Sequence, residues 1–205
     1  MRTGLEEFHM KTTTENTRRL THAALLVALV LLLSFTHLGY IPFLTLSITI
    51  VHIPAILAVL TSGTGVGFLV AFLFGASSWY LSLTNPTSIL SPLFQNPLVS
   101  ILPRLMIVPT MLLVLFCLKK RPHSKVTYGI AAASGSLANT VFTLSAVSLY
   151  IHFCPQVIGM DAAAGRVMIG TIWATSMVNA VLECAAAVIL CVAIMTAYDK
   201  VFKRG

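Results

Sequence analysis

Four polar side chains lie where the chain is otherwise apolar, and their types suggest binding chemistry: Arg104, Asn139, Asn179 and Glu183. Arg104 sits in SPLFQNPLVSILPRLMIVP (Ser91–Pro109), six residues into an apolar run. Its guanidinium stays protonated under all ordinary conditions. At mid-bilayer depth such a charge costs roughly 2.5–3.5 kcal/mol on insertion scales. A water-filled cavity or an anion offsets that cost. The bland alternative is an arginine that snorkels to the headgroups near a helix end. The reading adopted is that Arg104 lines a solute pocket open to the outside. Asn139 lies well inside another apolar run and needs hydrogen-bond partners, from a neighbouring helix or from a solute. Asn179 and Glu183 share the last run, and Glu183 is the only acid clearly within a span. Its bland role is a solvated or amide-paired cavity group.

Other chemistries are poorly supported. Ser134 and Ser136, in Ala131–Ser136 (AAASGS), are the best serine nucleophiles. A nucleophile needs a base within hydrogen-bond reach, and nothing in the spacing of His52 or His152 recommends either. The flanking small residues look like packing. A carboxylate-based membrane protease would rest on Glu183 alone. The glycine-rich turn Thr61–Gly67 (TSGTGVG) lacks the Gly-Lys-Ser/Thr ending that puts a lysine on phosphates. Cys117, Cys154, Cys184 and Cys191 show no metal spacing, and neither a disulfide nor a metal site is expected. The chain is therefore read as a non-enzyme with no cofactor of its own. A plain structural subunit, with Arg104 and Glu183 paired for packing, is the remaining alternative.

These residues need elements to position them. Of 205 residues, 57% are hydrophobic and 9% charged, with mean hydropathy +0.92. Soluble domains carry about 25% charged residues, so the chain reads as an all-α, polytopic membrane protein in one compact bundle. The net charge of +7 sits beside apolar segments. It reads as a topology signal and as contact with anionic lipid, with no nucleic-acid partner.

Six helices are expected: 20–38, 48–60, 65–83, 98–118, 126–151 and 168–198. Residues 1–19 read as a frayed cytoplasmic tail and 20–205 as the six-helix substrate-binding domain. Ala24 and Ala28 share one face of the first helix and allow another helix to approach closely. Gly67, Ala71 and Gly75 do the same on the third. Trp79 and Tyr80 fit an aromatic belt or a solute contact equally well. Residues 39–49 read as an external loop folded back on the bundle. Residues 84–97, with three prolines and two asparagines including Asn96, read as a lid. Pro103 and Pro109 should bend the helix that follows. Six helices place Arg18, Arg19, the Lys119–Lys125 cluster, Lys200, Lys203 and Arg204 on one side, which the positive-inside rule makes cytoplasmic. The three proline-bearing loops, at 39–49, 84–97 and 152–167, then face outside, and both termini face inside.

Over most of the chain after residue 18, and most strongly from Gly39 to Arg104, the sequence resembles the substrate-binding S components of energy-coupling factor (ECF) vitamin transporters. The residues that carry the likeness are Ala24-x-x-x-Ala28, GYIPFLTLSITIVHIPAILA (Gly39–Ala58) and SPLFQNPLVSILPR (Ser91–Arg104). The resemblance implies a six-helix, multi-pass protein of the bacterial cytoplasmic membrane that holds a vitamin near its outer surface. It implies docking through Ala24 and Ala28 on a separate transmembrane coupling protein, driven by two cytoplasmic ATPases that use ATP. It also implies that the body topples in the membrane to release its vitamin. The TIVHIP segment, with Phe94, Asn96, Pro97, Pro103 and Arg104, is most similar to pantothenate-type members. Arg104, Asn139, Asn96, Trp79 and Asn179 are the expected substrate contacts, with Arg104 on the carboxylate. Folate, biotin and niacin also carry carboxylates, and riboflavin, pyridoxine and cobalamin stay open as substrates. Glu183 fits an anionic ligand badly.

Overall fold

The computed structural model describes residues 4–36, 39–43, 46–86, 90–118, 124–159 and 161–202, and for 4–16, 40–48, 162 and 202 the backbone alone. The dense basic cluster at 119–121 and Lys203–Arg204 lie outside the described residues. The elements run α1 (Gly4–Phe35), β1 (Tyr40–Phe43), β2 (Leu46–Thr49), α2 (Ile53–Ser62), α3 (Thr64–Thr84), α4 (Ser91–Phe94), α5 (Pro97–Leu105), α6 (Ile107–Cys117), α7 (Lys125–Phe153), a 3-10 turn (Pro155–Ile158) and α8 (Ala162–Phe202).

Among the described residues, five helical stretches are long and apolar enough to cross a membrane: 17–35, 64–84, 97–117, 125–153 and 163–201. The chain is thus a polytopic, all-α membrane protein apart from one two-stranded hairpin. Helix α2 is shorter, an apolar helix of 10 residues. A helix rises about 1.5 Å per residue, so α2 is about half the depth of a hydrocarbon core of ~30 Å.

Three elements differ from the sequence reading. Helix α1 starts at Gly4, so the polar segment expected to fray continues the apolar helix without a break. No proline interrupts it and its one glycine stands at the first position. Residues 39–49, expected as an external loop folded back on the bundle, hold two paired antiparallel strands, with Tyr40 opposite Thr49 and Phe43 opposite Leu46. Proline is tolerated in a strand with a free edge, which accommodates Pro42. The fourth predicted helix is two, α5 and α6, divided at Met106. Pro103 stands inside α5 and Pro109 in the first turn of α6, where a missing N–H is no loss.

The core is continuous across α2, α3, α6, α7 and α8: Val51, Ile56, Ala58, Val70, Ala71, Val108, Met111, Ala131, Ala132, Ala187 and Cys191 are all fully buried. His52, also fully buried, starts α2 inside this core. Ser77 Oγ donates to Ser34 Oγ at 2.9 Å, joining α3 to α1. Gly75 lets α3 lie against the backbone of α5, since a Cβ there would fall 2.7 Å from Ile101 Cα and 3.1 Å from the Ser100 carbonyl oxygen. The AAASGS stretch is packing: Ser134 Oγ donates to the Ala131 carbonyl at 2.8 Å, and Gly135 faces Ile56 and Met111.

Candidate functional site

A cavity of about 480 Å³ lies between α3, α4, α5, α7 and α8. That volume is in the range of small-molecule sites. Its wall follows helical spacing. From α7 come Asn139, Thr140, Thr143, Leu144 and Val147, and from α8 Ile172, Ser176, Asn179 and Glu183. Residues three or four apart share one helix face, so each helix presents a single stripe to the space. Phe74, Ser78, Leu81, Ser82 and Asn85 line it from α3 and its C-cap.

Arg104 is 7% exposed and sits in this wall. Its position follows from the residue before it. Proline has no backbone N–H, so Pro103 leaves the Val99 carbonyl, one helical turn back, without its helical donor. Arg104 Nη1 donates to that carbonyl at 3.3 Å and to Thr143 Oγ1 on α7 at 3.3 Å. The guanidinium carbon lies 5.5 Å from the ring centroid of Phe74 and 5.3 Å from that of Phe94, within cation–π range. Two rings and two oxygens thus hold a permanent cation at the cavity surface.

Helices α7 and α8 are antiparallel and tied at both ends. Trp173 Nε1 donates to Ser148 Oγ at 2.8 Å, and Tyr128 Oη donates to Asp199 Oδ2 at 2.6 Å. About ten residues from the Trp173–Ser148 tie along each helix, roughly 14 Å, the register brings Asn139 and Glu183 to one level. Thr143, and with it the guanidinium, lies about 6 Å closer to the α4 end. Asn139 is 8% exposed and its Oδ1 is buried without a hydrogen-bond partner. Glu183 is 6% exposed. Its Oε1 accepts the backbone N–H of Thr49 at 2.8 Å and Asn179 Nδ2 at 3.2 Å. The carboxylate therefore ties the hairpin to α8, and Arg104 is not the partner these bonds record.

The segment over the α4 end is held from below. Trp79 Nε1 donates to the Gln95 carbonyl at 2.9 Å, and Gln95 Nε2 donates to the Ser82 carbonyl at 3.3 Å. Asn96 caps α5, its side chain accepting from Leu98 N at 3.0 Å. Leu93 is fully buried with Val99, Val147 and Ile151. Of the five side chains expected at a site, Arg104, Asn139 and Asn179 share the cavity wall. Trp79 and Asn96 stand outside it, as props of the α4 segment. Glu183, read from the sequence as a polar group in a span but not among the five expected contacts, also lies in the wall, and Thr143 and Phe74 were missed. The Pro103–Arg104 adjacency was the available signal for the anchoring of the guanidinium; Thr143 had none. On α1, Ala24 and Ala28 are exposed beside exposed Leu25, Leu29 and Leu32.

Among the described residues, no cluster of three His, Cys, Asp or Glu suits a metal ion. A family model described as ECF transporter, substrate-specific component, matches residues 18–195. No curated protein matches the sequence.

Proposed function

The chain belongs to the substrate-specific component family of ECF transporters, and from that membership we propose that it captures a water-soluble vitamin, with pantothenate the leading candidate. Members of this family bind substrate and are not enzymes. The observation that carries the reading is the buried, permanently charged Arg104 on the wall of a 480 Å³ cavity. A guanidinium presents a fork that matches a carboxylate, and Thr143, Asn139 and Asn179 add hydrogen-bonding groups for hydroxyls or amides. Biotin, folate and niacin carry the same anionic handle and are the competing substrates.

In this reading α1, α2, α3, the broken α5–α6 unit, α7 and α8 are the six membrane segments, with both termini in the cytoplasm and the α4 segment outside. The exposed Ala24–Ala28 face docks on a transmembrane coupling protein, and two cytoplasmic ATPases supply the energy from ATP. The body then tips to release the vitamin inward. The membrane is the cytoplasmic membrane of a bacterium.

The test is calorimetric titration of the purified full chain in detergent against B vitamins. Tight binding of pantothenate alone supports the assignment. Tight binding of another vitamin keeps the capture role and replaces the substrate. A folded protein that binds none overturns the reading.

A further inference from the structure

The capture reading uses Arg104 but gives no role to the acid that shares its cavity. Both hydrogen bonds recorded to Glu183 fall on Oε1, which leaves Oε2 with neither. At the same level of the bundle, Asn139 Oδ1 is an acceptor that is buried and has no donor. Leaving a buried acceptor unmade is costly, so Asn139 Oδ1 calls for a donor from whatever fills the cavity, and the Glu183 carboxylate in the same wall can accept a second one.

We propose that Glu183 and Asn139 form an acceptor pole that selects ligands bearing N–H or O–H donors at the end opposite their acid. The proposal rests on Arg104 holding the anionic end. The substrate class is then a monocarboxylate with hydroxyl, amide, ureido or ammonium donors at its far end. The two poles are offset by about one helical turn along α7 and are supplied by different helices, Arg104 by α5 and Glu183 by α8. A ligand with acids at both ends would set a carboxylate beside Glu183, where like charges repel. A compact acid without donors would leave Asn139 Oδ1 and Glu183 unsatisfied. The acid that seemed ill suited to an anionic ligand thus becomes the group that reads its other end.

Three probes separate the poles: pantothenate, which has an acid at one end and hydroxyls and an amide beyond it; pantothenol, with an alcohol in place of the acid; and nicotinate, an acid with no donors. Each is titrated into the full chain and into Glu183→Gln, Asn139→Leu and Arg104→Ala. We expect Glu183→Gln and Asn139→Leu each to weaken pantothenate and pantothenol about tenfold or more, with nicotinate bound no worse than by the unaltered chain. Arg104→Ala should weaken pantothenate but spare pantothenol. If pantothenate binds, Arg104→Ala weakens it, and both acceptor variants leave it unchanged, the acceptor pole is wrong and the capture site stands. Equal weakening of all three probes by Glu183→Gln also overturns it, as that pattern reports a loosened hairpin. If biotin binds in place of pantothenate with the same variant pattern, the pole stands and only the vitamin changes. A folded chain that binds no vitamin overturns the pole together with the capture reading. Should Glu183→Gln lower the thermal midpoint markedly, Asn139→Leu decides alone.

Discussion

Thr49 and Glu183 are 134 positions apart in sequence and are joined by a 2.8 Å hydrogen bond from the Thr49 backbone N–H to Oε1 of the carboxylate. The bond ends the β2 strand on α8, and the same oxygen also accepts Asn179 Nδ2. One side chain therefore sets both the position of the hairpin and the inner surface of the cavity.

Removing that acceptor should loosen the hairpin. Glu183→Ala is expected to speed backbone hydrogen exchange over 46–52, whereas Glu183→Gln, which keeps an acceptor oxygen, should leave it close to the unaltered rate. Hydrogen bonds to charged groups contribute about 1.5–3 kcal/mol, so the exchange gain should be roughly 10- to 100-fold. Mass-spectrometric exchange on the purified protein measures it.

Arg104→Ala should raise the dissociation constant of an anionic ligand by about 10- to 100-fold, the worth of one charge-assisted interaction. Arg104→Lys should recover only part of this. A lysine keeps the charge but lacks the planar fork that matches a carboxylate while Nη1 stays bonded to Val99 O and Thr143 Oγ1. Titration calorimetry gives both values, and unchanged affinity in Arg104→Ala removes the residue from the site.

Gly75→Ala should destabilise the protein by about 1–3 kcal/mol, as overpacking does. Its methyl would meet the Ile101 Cα at 2.7 Å, a backbone atom that cannot rotate aside. Since α5 carries Arg104, affinity should fall as well. A thermal melt in detergent, paired with titration, reads the two effects.

Trp79→Phe keeps an aromatic ring and deletes the bond to the Gln95 carbonyl. The loss should cost about 0.5–1.5 kcal/mol of order in the α4 segment. Ligand release should quicken by about 2- to 10-fold, with Arg104 untouched. Stopped-flow displacement of bound ligand measures that rate.

Leucine at Ala24 and Ala28 should abolish uptake by cells while leaving ligand affinity unchanged, because both positions are exposed on α1 and away from the cavity. Uptake assays and calorimetry on the same double variant test this. Loss of binding together with uptake points to misfolding and against a docking face.

The long helices were legible because uninterrupted apolar runs of membrane length have one common outcome. Arg104 was legible for the opposite reason, as a charge where the surroundings make charge costly. The hairpin was not legible: a moderately apolar stretch with Pro42 read as a loop, and the strand pairing is local and small. Nor was the helical state of residues 4–19, whose composition suits either a helix or a coil. Glu183 looked misplaced because its hydrogen-bond donors are a backbone N–H from the far half of the chain and an asparagine one turn away. Spacing within a single helix shows the second and hides the first. Trp79, which fitted a belt or a solute equally, and Asn96, named through the resemblance, both hydrogen-bond around the proline-rich segment, to the Gln95 carbonyl and from Leu98 N, and contacts of that kind are not visible in the sequence.

The clamp on Arg104 also bears on the entropy of capture. A free arginine carries about 2 kcal/mol of rotamer freedom, which a ligand ordinarily has to freeze. Here the Phe74 and Phe94 rings, the Thr143 hydroxyl and the carbonyl left over by Pro103 order the side chain as the helices pack. The ordering penalty falls on the assembly of the protein, and an arriving anion meets a guanidinium already at rest.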